Sequence, residues 1–365
     1  MCDLIISILC LDLERAKDQG CGSLSAKIVT IRDIARHVGV HHGTVSRALR
    51  NDRRLSRETI EKVTSAAKEL DYVPNPMLSA LMAYRQENSK KTYRSALGWI
   101  TNYPTRDGWK QYEKVGYFQG AERQAASLGY NIDVVWLNEP GMTQRRITQI
   151  LLARNIQGLL FIPQPRSRAH LRLDWSKFSA VTFGYTMAIP LLHSVDNNHF
   201  KSMSTLMRQL KRLGYRRPSF VCMPRIHEST DRTWLAAFTT YQSLPTKKQI
   251  PVFMQREWTF SAFQKWFLKY RPDVVISHLE EVLSWIEKMG LKVPEDVGFA
   301  LCSKHREFDP RCAGLDENSE FVGAQAVKFL VQMINHGEVG IPEIPISTQI
   351  EGKWVPGKTL RKMNL

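Results

Sequence analysis

The stretch that decides the fold of the N-terminal part is VTIRDIARHVGVHHGTVSRAL, residues 29–49. It opens with a T-x-x-D pattern at Thr30 and Asp33, which is typical of a capping box at the start of a helix. Apolar residues then recur on one face at helical spacing, at Ile31, Ile34, Ala35 and Val38. The pattern predicts a first helix that ends at Gly39 and a second helix from about His42 to Arg50.

A third helix is predicted in the stretch LSRETIEKVTSAAKELDYVPNPMLSALM, residues 55–82, where Ser56 is a favourable cap. Its apolar residues again share one face: Ile60, Val63, Ala66, Ala67 and Leu70. Short helices with a glycine-containing turn between the first two are typical of a helix-turn-helix unit. A small solvated bundle with ordinary surface charges is the alternative that this pattern leaves open.

The outward face of the second helix is polar and basic, and it carries His41, His42, Gly43, Thr44, Ser46, Arg47 and Arg50. A helix of this kind can enter the major groove of DNA, where Arg47 can donate two hydrogen bonds to a guanine. Thr30, Thr44 and Ser46 carry short donors that suit phosphate oxygens. We therefore expect these residues to form a DNA-binding face.

The two quoted stretches closely resemble the DNA-binding head of the lac repressor family. The matching pieces are T-I-x-D-I-A, the V-G-V turn, T-V-S-R, the S-x-x-T helix start and L-x-Y-x-P-N. The resemblance implies that His42 and Gly43 occupy variable base-reading positions and that Arg47 is the base-reading arginine. It also implies a hinge helix whose Asn75 and Leu81 meet the minor groove, with Leu81 as an apolar wedge. An ordinary packing role is the alternative for Leu81.

Three residues depart from the family pattern. His41 stands where serine is usual, and it is predicted to be a poor helix cap. Gly43 offers no side chain to a base, so readout there must come from its neighbours or from DNA shape. Arg50 stands where asparagine is frequent, and it is expected to add a phosphate contact.

The charge of the chain also indicates a polyanionic partner. The chain has 51 Lys and Arg against 35 Asp and Glu, a formal net charge of +16. Residues 27–94 hold fourteen basic and seven acidic residues, so the excess is dense in the predicted DNA-binding part. Nucleic acid and an anionic membrane face both fit such an excess. No apolar run is long enough for a membrane-spanning helix, and we expect no membrane partner.

The rest of the chain alternates strand and helix patterns. Strands are predicted at 96–101, 132–137, 158–163, 179–184, 218–223, 273–277 and 297–302. Amphipathic segments lie between most of them, an order typical of parallel sheets covered by helices. The family resemblance implies an α/β, periplasmic-binding-protein-like effector domain. It would consist of two doubly wound parallel-sheet subdomains with a ligand cleft between them.

The resemblance carries over only a few effector-binding residues. Tyr117 and Phe118 match an aromatic pair that stacks on effector in this family, with a role in the subdomain core as the alternative. Asp196 matches an acidic residue at the crossover of the cleft, where it would accept ligand hydroxyls or cap the next helix. Arg232 and Trp234 compete for the effector-arginine position. The family's N-D pair after the RPDVVIS strand is absent, since the sequence reads HLEE, and a standard sugar effector cannot be assumed.

The chain has no motif that favours an enzyme. It lacks a glycine-rich phosphate loop, a G-x-S-x-G elbow, an HExxH pair and a paired-carboxylate signal. Its six cysteines form no CxxC pair, and we predict no metal site and no cofactor.

The sequence thus predicts a transcriptional regulator that binds a pseudo-palindromic operator as a homodimer in the cytoplasm, on the nucleoid, under control of a small, sugar-like effector. A repressor is favoured. One alternative is a constitutive architectural protein whose α/β domain only dimerises; another is an α/β enzyme or a carbohydrate-binding protein. The predicted organisation is a disordered extension (1–27), the helix-turn-helix head (28–73), hinge helix and linker (74–93), effector and dimerisation domain (94–355) and tail (356–365).

Overall fold

The computed structural model describes residues 29–49, 55–72, 95–110, 116–166, 169–242, 249–305 and 307–363. The chain divides into two compact units after Pro76. The predicted extension 1–27 and the predicted hinge and linker 74–93 lie outside the described residues. No helix in the described parts of the chain has the length and apolar character needed to cross a membrane.

The first unit contains the three predicted helices, α1 (Ile31–Val38), α2 (His42–Ala48) and α3 (Arg57–Glu69). Helices α1 and α3 begin where the sequence supplies a favourable cap. Thr30 and Asp33 form the capping box of α1, and the Ser56 hydroxyl accepts from the Thr59 amide at α3. Gly39 ends α1 with a φ of 75°, a left-handed conformation that glycine adopts without strain. Ile34, Val45 and Val63 are fully buried, so one apolar residue from each helix forms the centre of the core.

The second unit contains two lobes. The first lobe has a six-stranded sheet in the order β12-β7-β5-β3-β1-β2, and all of its pairings are parallel. Its strands are β1 (Ser95–Thr101), β2 (Tyr130–Trp136), β3 (Gly158–Phe161), β5 (Ser179–Phe183), β7 (His193–Asn197) and β12 (Ser347–Ile350). Its helices are α4 (Tyr117–Ser127), α5 (Gln144–Ala153) and α11 (Ser319–His336), and a small ladder joins β4 (Ala169–His170) to β6 (Met187–Ile189). Strand β3 is buried throughout, as expected for a strand covered on both faces.

The second lobe has a five-stranded sheet in the order β13-β11-β10-β9-β8, parallel except for the β11–β13 pair. Its strands are β8 (Pro218–Val221), β9 (Val274–Ser277), β10 (Gly298–Lys304), β11 (Ala313–Asp316) and β13 (Lys353–Val355). Its helices are α6 (His199–Arg212), α7 (Pro224–Ser229), α8 (Thr233–Tyr241), α9 (Phe260–Tyr270) and α10 (Glu281–Lys288). All seven predicted strands are present, and the two-sheet α/β architecture is confirmed.

The chain passes between the lobes after β7, after β11 and between β12 and β13. These crossings bring residues 196–199, 316–319 and 350–353 to one junction, where Asn318 Nδ2 donates to the Glu351 carbonyl. Residues 356–363, predicted as a separate tail, pack on the second lobe. The Ala313 amide donates to the Thr359 hydroxyl, and the Met363 amide donates to the Leu213 carbonyl, so this lobe extends to Met363.

Candidate DNA-reading helix and effector cleft

Helix α2 presents most of the predicted DNA-binding residues to solvent. His41, His42 and Arg47 are exposed, and Gly43, Thr44 and Ser46 are partly exposed. Val45 and Ala48, on the other face of α2, are buried against the other two helices. The polar face is therefore turned away from the core. Thr30 is exposed at the start of α1. The helix therefore offers a polar and basic face, but Arg50, Asn75 and Leu81 lie outside the described residues.

The cap of α2 differs from the prediction. His41 was expected to be a poor cap, yet its Nδ1 accepts from the Gly43 amide at 3.2 Å. The ring can turn back onto the helix because Gly43 has no side chain; a Cβ there would lie 3.2 Å from the same Nδ1. The His41 and His42 rings pack with centroids 4.0 Å apart. Gly43 thus contributes to the cap of α2 by leaving room for the His41 ring. The sequence pattern did not reveal this role.

The Arg47 side chain bonds back to the backbone of its own helix. Its Nε donates to the Gly43 carbonyl at 3.3 Å, one turn earlier, and the side chain remains exposed. The structure shows no ion pair for Arg47 among the described residues. The guanidinium therefore keeps donors free for a base edge.

At the junction of the two lobes, His199 lies between two carboxylates. Its Nδ1 is 2.9 Å from Glu317 Oε1, and its Nε2 is 3.5 Å from Asp196 Oδ2. Asp196 lies one residue before the end of β7 in the first lobe, whereas Glu317 follows β11 in the second. Burial alone lowers the pKa of His199, but the Glu317 and Asp196 carboxylates outweigh it and raise that pKa to about 10. The imidazole is therefore a cation that links the crossings.

A second set of hydrogen bonds passes through Asn197. The Tyr117 hydroxyl donates to Asn197 Oδ1 at 2.8 Å, and Asn197 Nδ2 donates to the Glu317 carbonyl. Tyr117 stacks on Phe183 with centroids 5.3 Å apart, and Phe118 packs edge-on against Trp99. Tyr117 thus contributes both to the core of the first lobe and to the junction, and effector stacking by these two residues stays a prediction.

The two candidates for the effector-arginine position lie in different surroundings. Arg232 is exposed, at the N-cap of α8 with a φ of 61°. Trp234 is buried, with its ring 4.9 Å from His199 and 6.2 Å from His278. The structure therefore places Trp234, and not Arg232, with the junction cluster.

Several buried polar atoms near the carboxyl ends of the strands have no hydrogen-bond partner among the described residues. They include Thr101 Oγ1, Gln164 Oε1, Trp234 Nε1 and both ring nitrogens of His278. Open parallel sheets bind ligands at these strand ends, and unpaired buried polar groups are rare elsewhere. A groove of about 490 Å³ is lined by Gly116, Asn318 and Lys304, and none of these unpaired residues lines it.

Sequence reasoning missed His199, Glu317 and His278. Glu317 and His199 are 118 residues apart, and only the strand topology brings them together. His278 belongs to the HLEE segment that replaces the expected N-D pair, so the departure from the family pattern was its signal.

Comparison with known protein families gives one match in each of the two units. Residues 30–75 match the model of bacterial regulatory proteins of the lacI family, and residues 207–359 match the periplasmic binding protein-like domain. The HTH-type transcriptional regulator MalR of Streptococcus pneumoniae is 23% identical over 318 residues, which are 84% of this chain and 93% of MalR. The HTH-type transcriptional repressor CytR of Escherichia coli is 23% identical over 333 residues, 85% of this chain and 91% of CytR.

Solved structures show the same fold. The lac repressor dimer bound to operator and the anti-inducer ONPF aligns with a TM-score of 0.52 and 19% identity, over 91% of this chain and 99% of that one. The complex of the regulator CelR with cellobiose aligns with a TM-score of 0.54 and 18% identity, over 91% and 99%. The curated relatives are regulators of transcription and not enzymes, in agreement with the sequence analysis. The chain thus combines a head that matches the lacI family model with a domain that matches the periplasmic binding protein-like model, and relatives named as HTH-type transcriptional regulators match along most of its length.

Proposed function

We propose that this protein regulates transcription by binding a specific operator through α2 and by changing its DNA affinity when a small molecule binds between the lobes. The observation that carries the proposal is the exposed face of α2, with Arg47 presented outward and unpaired with any described carboxylate. The relatives include proteins named as repressors, so repression is the favoured sign. The protein would act in the cytoplasm, on the nucleoid.

The operator should be a pseudo-palindrome read by a homodimer. One helix-turn-helix unit reads a half-site, and a two-fold symmetric dimer reads two half-sites in opposite orientation. The lac repressor structure cited above is a dimer on its operator, which supports the same assembly here. The predicted hinge, with Asn75 and Leu81, would contact the minor groove at the operator centre.

An effector would act at the lobe junction. The chain crosses there three times, so closure of the lobes on a ligand would move all the crossings together. Such a ligand shifts DNA affinity only if it binds the two lobe arrangements with different affinity. A sugar-like effector is proposed because the related CelR structure holds cellobiose. The rival, a constitutive architectural protein, is not favoured because the relatives are named regulators.

Selection of bound fragments from a random DNA library tests the proposal directly. We expect enrichment of an inverted repeat with a flexible pyrimidine–purine step at its centre, because such steps kink readily. Salt-sensitive binding without any enriched repeat would contradict the regulator and favour the architectural protein.

Arg47→Ala should weaken binding to the selected operator by about 1–3 kcal/mol, roughly 5- to 150-fold, because a bidentate contact to guanine is lost. Arg47→Lys keeps the charge but not the planar pair of donors, so most of the loss should remain. Fluorescence anisotropy at several salt concentrations measures both effects.

The matched control is Lys68→Ala, an exposed basic residue in the last turn of α3. It should change operator affinity little. If Arg47→Lys binds normally and Arg47→Ala only reduces the salt dependence, then Arg47 contacts phosphate and does not read a base.

A further inference from the structure

The second lobe carries a dense basic surface at the amino ends of its parallel strands, the edge of the sheet opposite the junction. Three segments meet there: 211–217, which precedes β8, 269–273, which precedes β9, and 361–363. The Met363 amide donates to the Leu213 carbonyl at 2.7 Å, and Arg217 Nη2 donates to the Tyr270 carbonyl at 2.5 Å. The segments therefore form one continuous surface, which we call the distal basic surface.

The distal basic surface is almost free of acidic residues. Its three segments hold eight basic residues and one acidic residue. All eight basic residues are exposed: Lys211, Arg212, Arg216, Arg217, Lys269, Arg271, Arg361 and Lys362. The acidic residue, Asp273, is partly exposed, and its Oδ2 accepts from the backbone amides of Arg216 and Arg217 at 2.6 and 2.9 Å. Asp273 thus orders the backbone of the surface and forms no ion pair with a described basic side chain.

Exposed cations elsewhere in the described chain often have carboxylate partners. In the head, Arg57 lies 2.9 Å from Glu61, and in the second lobe Arg311 lies 2.6 Å from Asp309. By contrast, none of the eight cations of the distal basic surface forms an ion pair with a carboxylate of the described residues. Their charges therefore add to a positive field that the fold leaves uncompensated.

Hydrogen bonds to the backbone hold two of the arginines in place. Arg217 Nε donates to the Arg271 carbonyl at 3.3 Å, in addition to the bond from its Nη2. Arg361 Nη2 donates to the Glu295 carbonyl at 2.8 Å. These acceptors are neutral, so each guanidinium keeps its charge and some of its five donors. Five of the eight cations are arginines, whose planar donor pair matches phosphate oxygens.

Duplex DNA is the polyanion that best matches this surface. It presents one negative charge per about 1.7 Å of its axis, so a broad surface can contact several phosphates at once. The eight cations come from three segments, and none of them lines the described groove, so they do not converge on a pocket for a small anion. The head matches the lacI family of bacterial regulatory proteins, and a head on its operator holds other DNA nearby at high effective concentration.

We propose that the distal basic surface binds the phosphate backbone of duplex DNA without reading its sequence, as a second DNA contact besides α2. The choice of DNA rests on the proposed function, because it assumes that the head brings the protein to DNA. The bound DNA would be the flank of the operator or a separate duplex, since both present the same phosphates.

Acetylation of the full-length protein, with and without a short duplex that lacks an operator, tests the contact. Well above the micromolar Kd usual for non-specific contacts, the duplex should slow acetylation of Lys211, Lys269 and Lys362 at least about fivefold. Exposed lysines elsewhere should react at unchanged rates: Lys177, Lys328 and Lys353. High salt should abolish the protection, because it screens phosphate contacts. Unchanged rates at all three surface lysines would overturn the proposal.

Poly-L-glutamate in place of the duplex separates DNA from an acidic protein partner. We expect the duplex to protect the surface lysines at a lower concentration of charge, because its charges are denser. Protection by poly-L-glutamate without protection by the duplex would overturn the choice of DNA and indicate an acidic protein.

A triple variant, Lys211→Gln with Arg216→Gln and Lys362→Gln, tests the residues. The matched control combines Lys177→Gln, Lys328→Gln and Lys353→Gln, which removes the same charge from exposed positions outside the surface. One assay compares operator duplexes with long and short flanks. Another measures capture of a labelled second duplex by protein held on an immobilised operator.

We expect the triple variant to lose at least about tenfold in DNA affinity in one of these assays, with a log–log salt slope shallower by about 2–3, since three phosphate contacts are removed. A loss confined to long flanks assigns the contact to flanking DNA, and a loss of capture assigns it to a separate duplex. The control should match the unchanged protein. Equal affinity of the triple variant and the unchanged protein in both assays would overturn the proposal.

Failure of this inference differs from failure of the proposed function. A selected operator together with unprotected surface lysines leaves the regulator standing and overturns the second DNA contact. Protected surface lysines without any selected operator support the second contact and contradict the proposed function.

Discussion

Replacing His199 with leucine should lower the free energy of unfolding by about 3–5 kcal/mol, the usual cost of removing one partner from a buried ion pair. His199 is 9% exposed and lies between Glu317 at 2.9 Å and Asp196 at 3.5 Å. Without the imidazolium, two carboxylates from different lobes would face each other in the interior. Urea unfolding of the two proteins measures the difference.

A second substitution separates charge from packing. Adding Glu317→Gln to His199→Leu removes one of the uncompensated carboxylates while keeping the size of the side chain. We expect the double variant to regain part of the lost stability, since the two changes act on one network and are not additive. A double variant less stable than His199→Leu alone would show that packing of the ring, and not its charge, stabilises the junction.

The pH dependence gives an independent check on the same group. The pKa of His199 is raised from 6.5 to about 10, so the folded protein holds this proton more tightly than the unfolded chain does. The resulting stability is fully present below pH 6.5 and is lost as the pH rises towards 10. The stability difference between the unchanged protein and His199→Leu should therefore shrink over this range. Taking the difference cancels the titration of groups that both proteins share.

The head of this protein could be predicted because its helices carry their own signals. Thr30 and Ser56 cap α1 and α3, and the apolar residues of each helix face one core, as the spacing indicated. The residues predicted to face DNA follow from the same spacing, because the positions of α2 that do not face the core must be exposed. The cap at His41 was the exception, because it depends on the space left by Gly43 and not on a residue preference.

The effector cleft could be predicted only in part, because its contacts join distant parts of the chain. Strand β7, with the sequence HSVDN, buries polar residues and lacks the apolar run by which the other central strands were found. The short strands β12 and β13 are largely exposed and carry no strong pattern. They nevertheless form the last crossing between the lobes. Pairs such as His199 with Glu317 therefore become visible only once the crossings are known.

Gly323→Ala should destabilise the protein by about 2–3 kcal/mol, although helix propensity alone predicts a gain of about 1 kcal/mol. Gly323 lies in α11 where this helix crosses α4, and an added Cβ would stand closer than 3.0 Å to the Tyr117 carbonyl oxygen and to the Ala121 amide. Both are backbone atoms and cannot rotate away. The steric clash and the helix propensity predict changes of opposite sign, so the direction of the change in stability shows which effect is larger. Thermal unfolding measures this change.

The control for propensity is Lys328→Gly, at an exposed position of the same helix. This substitution should lower the free energy of unfolding by about 1 kcal/mol, which measures the effect of helix propensity alone. The steric effect should also reach the cleft, because displacement of the Tyr117 backbone would strain the hydrogen bond from its hydroxyl to Asn197. We therefore expect Gly323→Ala to weaken effector binding and Lys328→Gly to leave it unchanged. A Gly323→Ala protein that is more stable than the original would mean that α4 and α11 can separate freely, and the junction would then be less rigid than its contacts indicate.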